Sequence, residues 1–200
     1  MRSKIPSTWC VIVLGATGVL YVSLFLFFLT PILHGQTFQQ EQSQISQNFE
    51  PTGMELPARL VIPSIHIDAA IEHLGLTPQG AMAVPEGPAD VAWFDLGPRP
   101  GENGSAVIAG HEGWKDGIEA VFDDLSRLQV GDKVYVEDER GATTTFVVRG
   151  MQTYDQNGNA GGVFSSSDGL AHLNLITCEG TWNAAEKSYS NRLVVFTDKE

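Results

Sequence analysis

Three textures of hydrophobic and polar positions follow one another along the chain. From Trp9 to Leu33 the run WCVIVLGATGVLYVSLFLFFLTPIL carries no charge and is apolar on every side of a helix. Trp9 to Leu29 would span about 31 Å at ~1.5 Å per residue, one hydrocarbon core. The run is longer than the ~7–15 apolar residues of a cleaved leader. Arg2 and Lys4 precede it and no basic residue follows directly. The pattern therefore predicts a transmembrane signal-anchor helix over 9–33, with residues 1–8 in the cytoplasm and the remainder outside, in a single-pass protein of the cell membrane. The next stretch, GQTFQQEQSQISQNFEPTGMELP, is rich in Gln and Ser and poor in aliphatics. It cannot bury enough apolar area to fold alone and reads as a flexible stalk over 34–57.

From Ala58 the pattern becomes period two, and a single extracytoplasmic domain is expected over 58–200. RLVIPSIHIDAAI breaks at Pro63 between β-branched runs; AMAVP and VAWFD are short runs bounded by Pro, Gly and Asp. GSAVIAGH, DKVYVEDE, TTTFVVRG, HLNLIT and RLVVFT complete a set of strands, with Arg140 and Gly141 as a hairpin turn. In GIEAVFDDLSRL, Ile118, Val121, Phe122, Leu125 and Leu128 form a stripe at helical spacing, so one helix is expected there. About eight short strands with one helix, and no alternation of long helices with strands, predict an all-β fold closing into a barrel.

Charge narrows the partners. All 24 acidic residues and ten of the 12 Lys and Arg follow His34, a balance of −14 outside the membrane. No basic stripe exists to displace phosphate counterions, so nucleic acid is excluded as a partner. The acidic EDE run at Glu137–Glu139 reads as a solvated face. No set of His and Cys has metal-ligand spacing, and no loop cradles a phosphate, so neither metal nor cofactor is implied.

The two cysteines, Cys10 and Cys178, fall in the membrane run and the external domain and cannot pair within one chain. Cys178 closes the apolar run HLNLITC, and the strand is expected to stop at EGTWN, exposing the thiol at a strand end. On a strand Asn174, Ile176 and Cys178 share one face, and Leu173, Leu175 and Thr177 the other. A nucleophilic thiol needs a proton acceptor or a cation nearby. Among the five histidines, His34 borders the membrane, and His172 lies about 20 Å along the same strand at ~3.3 Å per residue. His66 and His73 read as ordinary half-buried side chains. His111 ends the strand AVIAG and is the candidate partner. Arg192 opens RLVVFT, and an antiparallel return would bring it to the thiol as an oxyanion-side cation.

A strand-end Cys in NLITC, a His in VIAGH and an Arg in NRLVVF, in that order on an anchored external domain, resemble the sortase family, the membrane-anchored cysteine transpeptidases of bacteria. The family's motif before its cysteine is TLxTC, from which this chain departs with Asn174 in place of the first Thr. RLVIPSIHIDA, GPRPGENGSAVIAGH and VFDDLSRLQVGDKVYV are most similar to classes E and F. The resemblance covers roughly Ala58 to Thr197 and implies a closed eight-stranded barrel with one or two short helices. It makes Cys178 the nucleophile, His111 the proton donor and acceptor, and Arg192 the cation beside the oxyanion. Thr177, Glu179, Trp114 and Trp182 flank that site as candidate substrate-binding residues. The implied reaction cleaves an LPxTG-like sorting signal of exported surface proteins through a thioester. The protein is then transferred to an amine acceptor of a cell-wall precursor or a pilin.

Two other readings compete. An L,D-type cysteine transpeptidase would act on peptidoglycan stem peptides, but its Ser-x-Gly-Cys run is absent. An anchored binding or adhesion module with an incidental thiol predicts that His111 and Arg192 matter for stability alone.

Overall fold

The computed structural model describes residues 55–185 and 188–200. The expected anchor over 9–33, its cytoplasmic lead, Cys10 and nearly all of the stalk lie outside the described residues.

Eight strands follow in order: β1 (Pro57–Ile62), β2 (Ile67–Leu74), β3 (Val91–Phe94), β4 (Gly104–Gly110), β5 (Lys133–Asp138), β6 (Thr143–Asp155), β7 (Ala171–Asn183) and β8 (Ser188–Lys199), with a four-residue helix α1 (Gly161–Phe164) before β7. They close into a barrel in the order β1-β2-β3-β4-β7-β8-β6-β5. The β2/β3 and β4/β7 pairs are parallel and the others antiparallel. Closure removes the open sheet edges that a solitary domain would otherwise expose.

Period-two alternation sorts each strand into a core face and an outer face. Leu60, Ile62, Ile108, Val134, Phe146, Leu173, Leu175 and Val195 are fully buried and meet in one core, each worth about 1.5–3 kcal/mol when removed from water. The break between β1 and β2 falls where Pro63 opens a 3-10 turn and His66 closes it at φ 57, its N–H reaching the Pro63 carbonyl at 3.3 Å. His73 is a structural side chain: Nε2 bonds the Pro57 carbonyl at 2.7 Å and the ring meets Trp93 edge-on.

Three expectations need correction. AMAVP is not a strand; it contributes one isolated bridge, Leu76 to Met82, within the 75–90 connection. Val84 precedes Pro85, which has no N–H to offer a ladder. The stripe from Ile118 to Leu128 is not an α-helix either. It is a run of turns ending in a 3-10 turn at Leu125–Arg127. Its backbone donors are claimed from outside: Val121 N–H by the Pro88 carbonyl at 2.8 Å, and Phe122 N–H by that of His111 at 3.0 Å. The Asp123 carboxylate accepts from Gly113 N–H at 2.6 Å and Ala120 N–H at 3.0 Å, tying the loop after His111 into a compact arch. The stripe still buries Phe122, Leu125 and Leu128 in the core, while Ile118 is exposed. Finally, β7 does not stop at EGTWN. A register shift between Glu179 and Trp182, with Gly180 at φ 89, lets it continue to Asn183 as a ribbon paired with β8.

Candidate active site

Three neighbouring strands place the three candidate groups. Cys178 lies within β7 and pairs directly with Arg192 of β8, so their side chains leave the sheet on the same face. On the other side, β4 runs parallel to β7 with Ala109 opposite Ile176. Two residues further along both strands, His111 follows β4 at the level of Cys178. The Thr177 hydroxyl donates to the Gly110 carbonyl at 2.9 Å, fixing that level just short of His111. The face itself follows from alternation. Leu173, Leu175 and Thr177 turn inward and are buried, and Ile176 and Cys178 are half exposed on the outer wall.

Cys178, His111 and Arg192 line one cavity of about 950 Å³. Met82 and Val84 from the 75–90 connection, Val163 and Phe164 of α1, and Ile176 and Val194 on the strands form its apolar wall. Helix α1 is pinned over the sheet by Asn174, whose side-chain amide donates to the Val163 carbonyl at 2.6 Å. The departure from the TLxTC pattern thus has a structural occupation: a fully buried amide holds the cavity's roof.

Arg192 is oriented before any ligand arrives. Nη1 donates to the Tyr189 and Asn191 carbonyls at 3.0 and 2.8 Å, and Nη2 to the Ser188 hydroxyl at 3.0 Å. A guanidinium has five N–H donors in a rigid fork, so Nε–H and one Nη2–H remain for a substrate oxygen. His111 is held by the Pro85 carbonyl, 2.8 Å from Nε2, and by the Trp114 ring, 4.8 Å away between centroids.

The four flanking candidates divide. Trp114 and Trp182 both line the cavity, Trp182 packed on its cross-strand neighbour Tyr189 at 5.2 Å. Thr177 also lines the cavity, with its side chain buried and its hydroxyl donating to the Gly110 carbonyl. Glu179 does not line the cavity, and its carboxylate accepts from the Thr153 hydroxyl at 2.7 Å. Sequence reasoning passed over Met82, Val84 and Pro85. They lie in the 75–90 connection, whose approach to the site is set by tertiary packing, and apolar residues beside a proline carry no chemical signal of their own.

Electrostatics at the thiol pull in opposite directions. Burial pushes the Cys178 thiol up, the Arg192 charge draws it down, and the Glu112 carboxylate raises it again. Glu112 is itself raised, chiefly by burial and then by Glu179 and Asp123. Replacing Glu112 with Gln should therefore lower the thiol pKa and speed alkylation of Cys178 by iodoacetamide near neutral pH, whereas Arg192→Gln should slow it. Identical pH–rate profiles for the three proteins would refute this account of the local field.

The arrangement suits nucleophilic acyl transfer: a thiol beside an imidazole and a fixed cation, at the rim of an apolar cavity. His172, excluded above by distance, is buried elsewhere on β7 and bridges Asp198 and Asp168 at 2.7 and 2.9 Å. The Leu170 backbone N–H, and then His172, hold the Asp168 carboxyl below its ordinary range.

Comparison with known proteins agrees. The sortase domain family matches residues 60–200. Sortase A from Corynebacterium diphtheriae, in a lid mutant, is 21% identical over 76% of this chain and 74% of its own, with a TM-score of 0.56. Sortase C1 of Streptococcus agalactiae, in complex with MTSET, is 23% identical over 72% and 66%, with a TM-score of 0.55. Sortase C-1 from Actinomyces oris is 24% identical over 80% and 81%, also at 0.55. The chain spans 66% of the S. agalactiae structure, just under two thirds. No curated protein matches. At these identities the structures establish the barrel alone; they are class A and class C enzymes, and the likeness to classes E and F rests on sequence motifs. The domain match covers most of the chain, and it falls on the barrel whose outer wall carries Cys178 between His111 and Arg192: the chain belongs to the sortase family of cysteine transpeptidases.

Proposed function

We propose that this sortase works from the outer face of the cell membrane, held there by its 9–33 segment. It cleaves an LPxTG-like sorting signal on other exported proteins and joins the acyl part to an amine of a cell-wall precursor or a pilin. The observation that carries this reading is the direct cross-strand pair of Cys178 and Arg192, with His111 just past the end of the adjoining strand at the same level. The apolar wall of Met82, Val84, Val163, Phe164, Ile176 and Val194 suits the aliphatic side of such a signal.

The chemistry follows in two balanced steps. Cys178 Sγ, its proton passed to His111, forms a bond to a backbone carbonyl carbon, and the oxyanion faces the unengaged donors of Arg192. The C–N bond breaks as His111 protonates the departing amine, leaving a thioester. An incoming amine then attacks the thioester carbonyl, loses its proton to His111, and expels the thiolate. Because burial pushes the thiol up, the thiolate is the minor form near neutral pH. Turnover drawn from so small a population is slow.

A peptide-library transpeptidation assay on the full-length chain, with mass detection of the acyl-enzyme, tests this reading. The expected result is a thioester adduct on Cys178 that an added amine such as triglycine or lysine resolves faster than water. Failure to form any adduct from the library, with the thiol shown reduced, would overturn it. Arg192→Lys keeps the charge but loses the fork; a loss of about 10²–10³-fold in acylation is expected.

A further inference from the structure

One nitrogen of the His111 ring is already committed. Nε2 lies 2.8 Å from the carbonyl oxygen of Pro85. A carbonyl only accepts, so Nε2 carries the hydrogen in this contact. We infer that Pro85 is a positioning residue: its carbonyl holds the neutral imidazole in the Nε2–H tautomer and leaves Nδ1 as the atom that exchanges protons with the reacting groups. The inference rests on the role proposed above for His111 and assigns that role to a particular atom.

The acceptor is built to stay where it is. It belongs to the sequence Val84-Pro85-Glu86-Gly87-Pro88, in which two proline rings fix φ and each restricts the residue before it. Pro85 is buried. The connection is tied at several points: Ala83 N–H to the Gly75 carbonyl at 3.0 Å, Thr77 N–H to that of Ala81 at 2.7 Å, and the Pro88 carbonyl to Val121 N–H at 2.8 Å. That last bond joins it to the arch that follows His111, whose carbonyl accepts from Phe122. Trp114 lies against the ring on another side. The imidazole is therefore held by two independent contacts, one a directed hydrogen bond and one a packing face.

The same connection supplies Met82 and Val84 to the cavity wall. A peptide seated against those side chains bears on the segment that carries the Pro85 carbonyl. Substrate recognition and orientation of the proton-transfer group thus share one short, proline-stiffened span. A second-sphere hydrogen bond that fixes a histidine's tautomer has the same function at metal sites, where its loss costs about 10–100-fold.

The test reads the resting protein. Full-length chain carrying 15N-labelled histidine, in detergent, is studied by long-range 1H–15N correlation at a pH where the ring is neutral, His111 being assigned by its absence from a His111→Gln sample. A single tautomer with hydrogen on Nε2, slow to exchange with solvent, is the expected result. Hydrogen on Nδ1, or a solvent-exchanging mixture like that of free histidine, would overturn the inference. The double variant Pro85→Gly, Pro88→Gly keeps every carbonyl but frees the span. It should give the exchanging mixture and slow acylation at saturating peptide by about tenfold or more. An unchanged His111 spectrum in that variant would also count against the inference, and if the variant does not fold, the wild-type spectrum decides alone. No peptide is present in the spectroscopic arm. A failure of the transpeptidation reading would therefore leave the tautomer result standing, and the converse.

Discussion

Replacing Cys178 with alanine should abolish thioester formation and reduce transpeptidation by about 10⁴-fold or more, the scale on which enzymes with a covalent nucleophile respond to its loss. The fold should be untouched. Cys178 is on the outer wall of β7, its backbone pairs with Arg192 through main-chain atoms, and the core contacts of that strand belong to Leu173 and Leu175. Circular dichroism and melting temperature of Cys178→Ala should accordingly match the parent, while the adduct peak vanishes from the mass spectrum. A variant that still transfers peptide to amine would place the nucleophile elsewhere. One that loses activity only by unfolding would leave the catalytic role without support.

The second large effect is structural and reaches the site through packing. A Cβ built on Gly110 would lie 2.6 Å from Phe122 Cδ2 and 2.8 Å from Val121 Cγ1. Phe122 is 1% exposed and sits in the core, so its ring has no free volume into which to retreat. Overpacking of this kind costs about 1–3 kcal/mol, and for a domain of this size each kcal/mol lowers Tm by roughly 2–4 °C. Gly110→Ala is thus expected to melt several degrees below the parent. Activity should fall as well, even where the protein remains folded. The Gly110 carbonyl receives the Thr177 hydroxyl, and the next residue is His111. A displacement of about 1 Å at a catalytic group can cost 10²-fold. Thermal melts and acylation rates measured at 20 °C separate the two effects. A Gly110→Ala protein with parental Tm and parental rate would show that the close approach of Phe122 to β4 does not position the histidine.

Where the pattern misled, the cause is visible in single residues. Ile118, Val121, Phe122, Leu125 and Leu128 have the spacing of a helix face, and four of the five do turn toward the interior. Yet the His111 and Pro88 carbonyls capture backbone donors that a helix would have used internally. Acceptors that arrive from distant parts of the chain leave no trace in local periodicity. The strand end expected after Cys178 failed for a related reason. Gly180, in a conformation that suits glycine, absorbs a register shift, and the ribbon beyond it is held by Trp182 against Tyr189. Its continuation depends on pairing with the next strand, β8, which the residues up to Asn183 do not contain.

Some features were legible because they depend on neighbours in sequence. Period-two alternation from Arg59 onward gave the strands and, through them, an all-β barrel. It also gave the face of β7 that carries Ile176 and Cys178. The residue types and order of His111, Cys178 and Arg192 gave the chemistry, since a thiol, an imidazole and a guanidinium have those capacities wherever they sit. Only the tertiary structure decided how the pieces meet. The parallel pairing of β4 with β7 sets His111 level with the thiol, Asn174 holds a helix as the cavity's roof, and a proline carbonyl from the 75–90 connection takes one ring nitrogen of the imidazole. These pairings join residues 11 to 67 positions apart, and their free energy comes from burying a shared core rather than from any local preference. A pattern read within a short window cannot contain them.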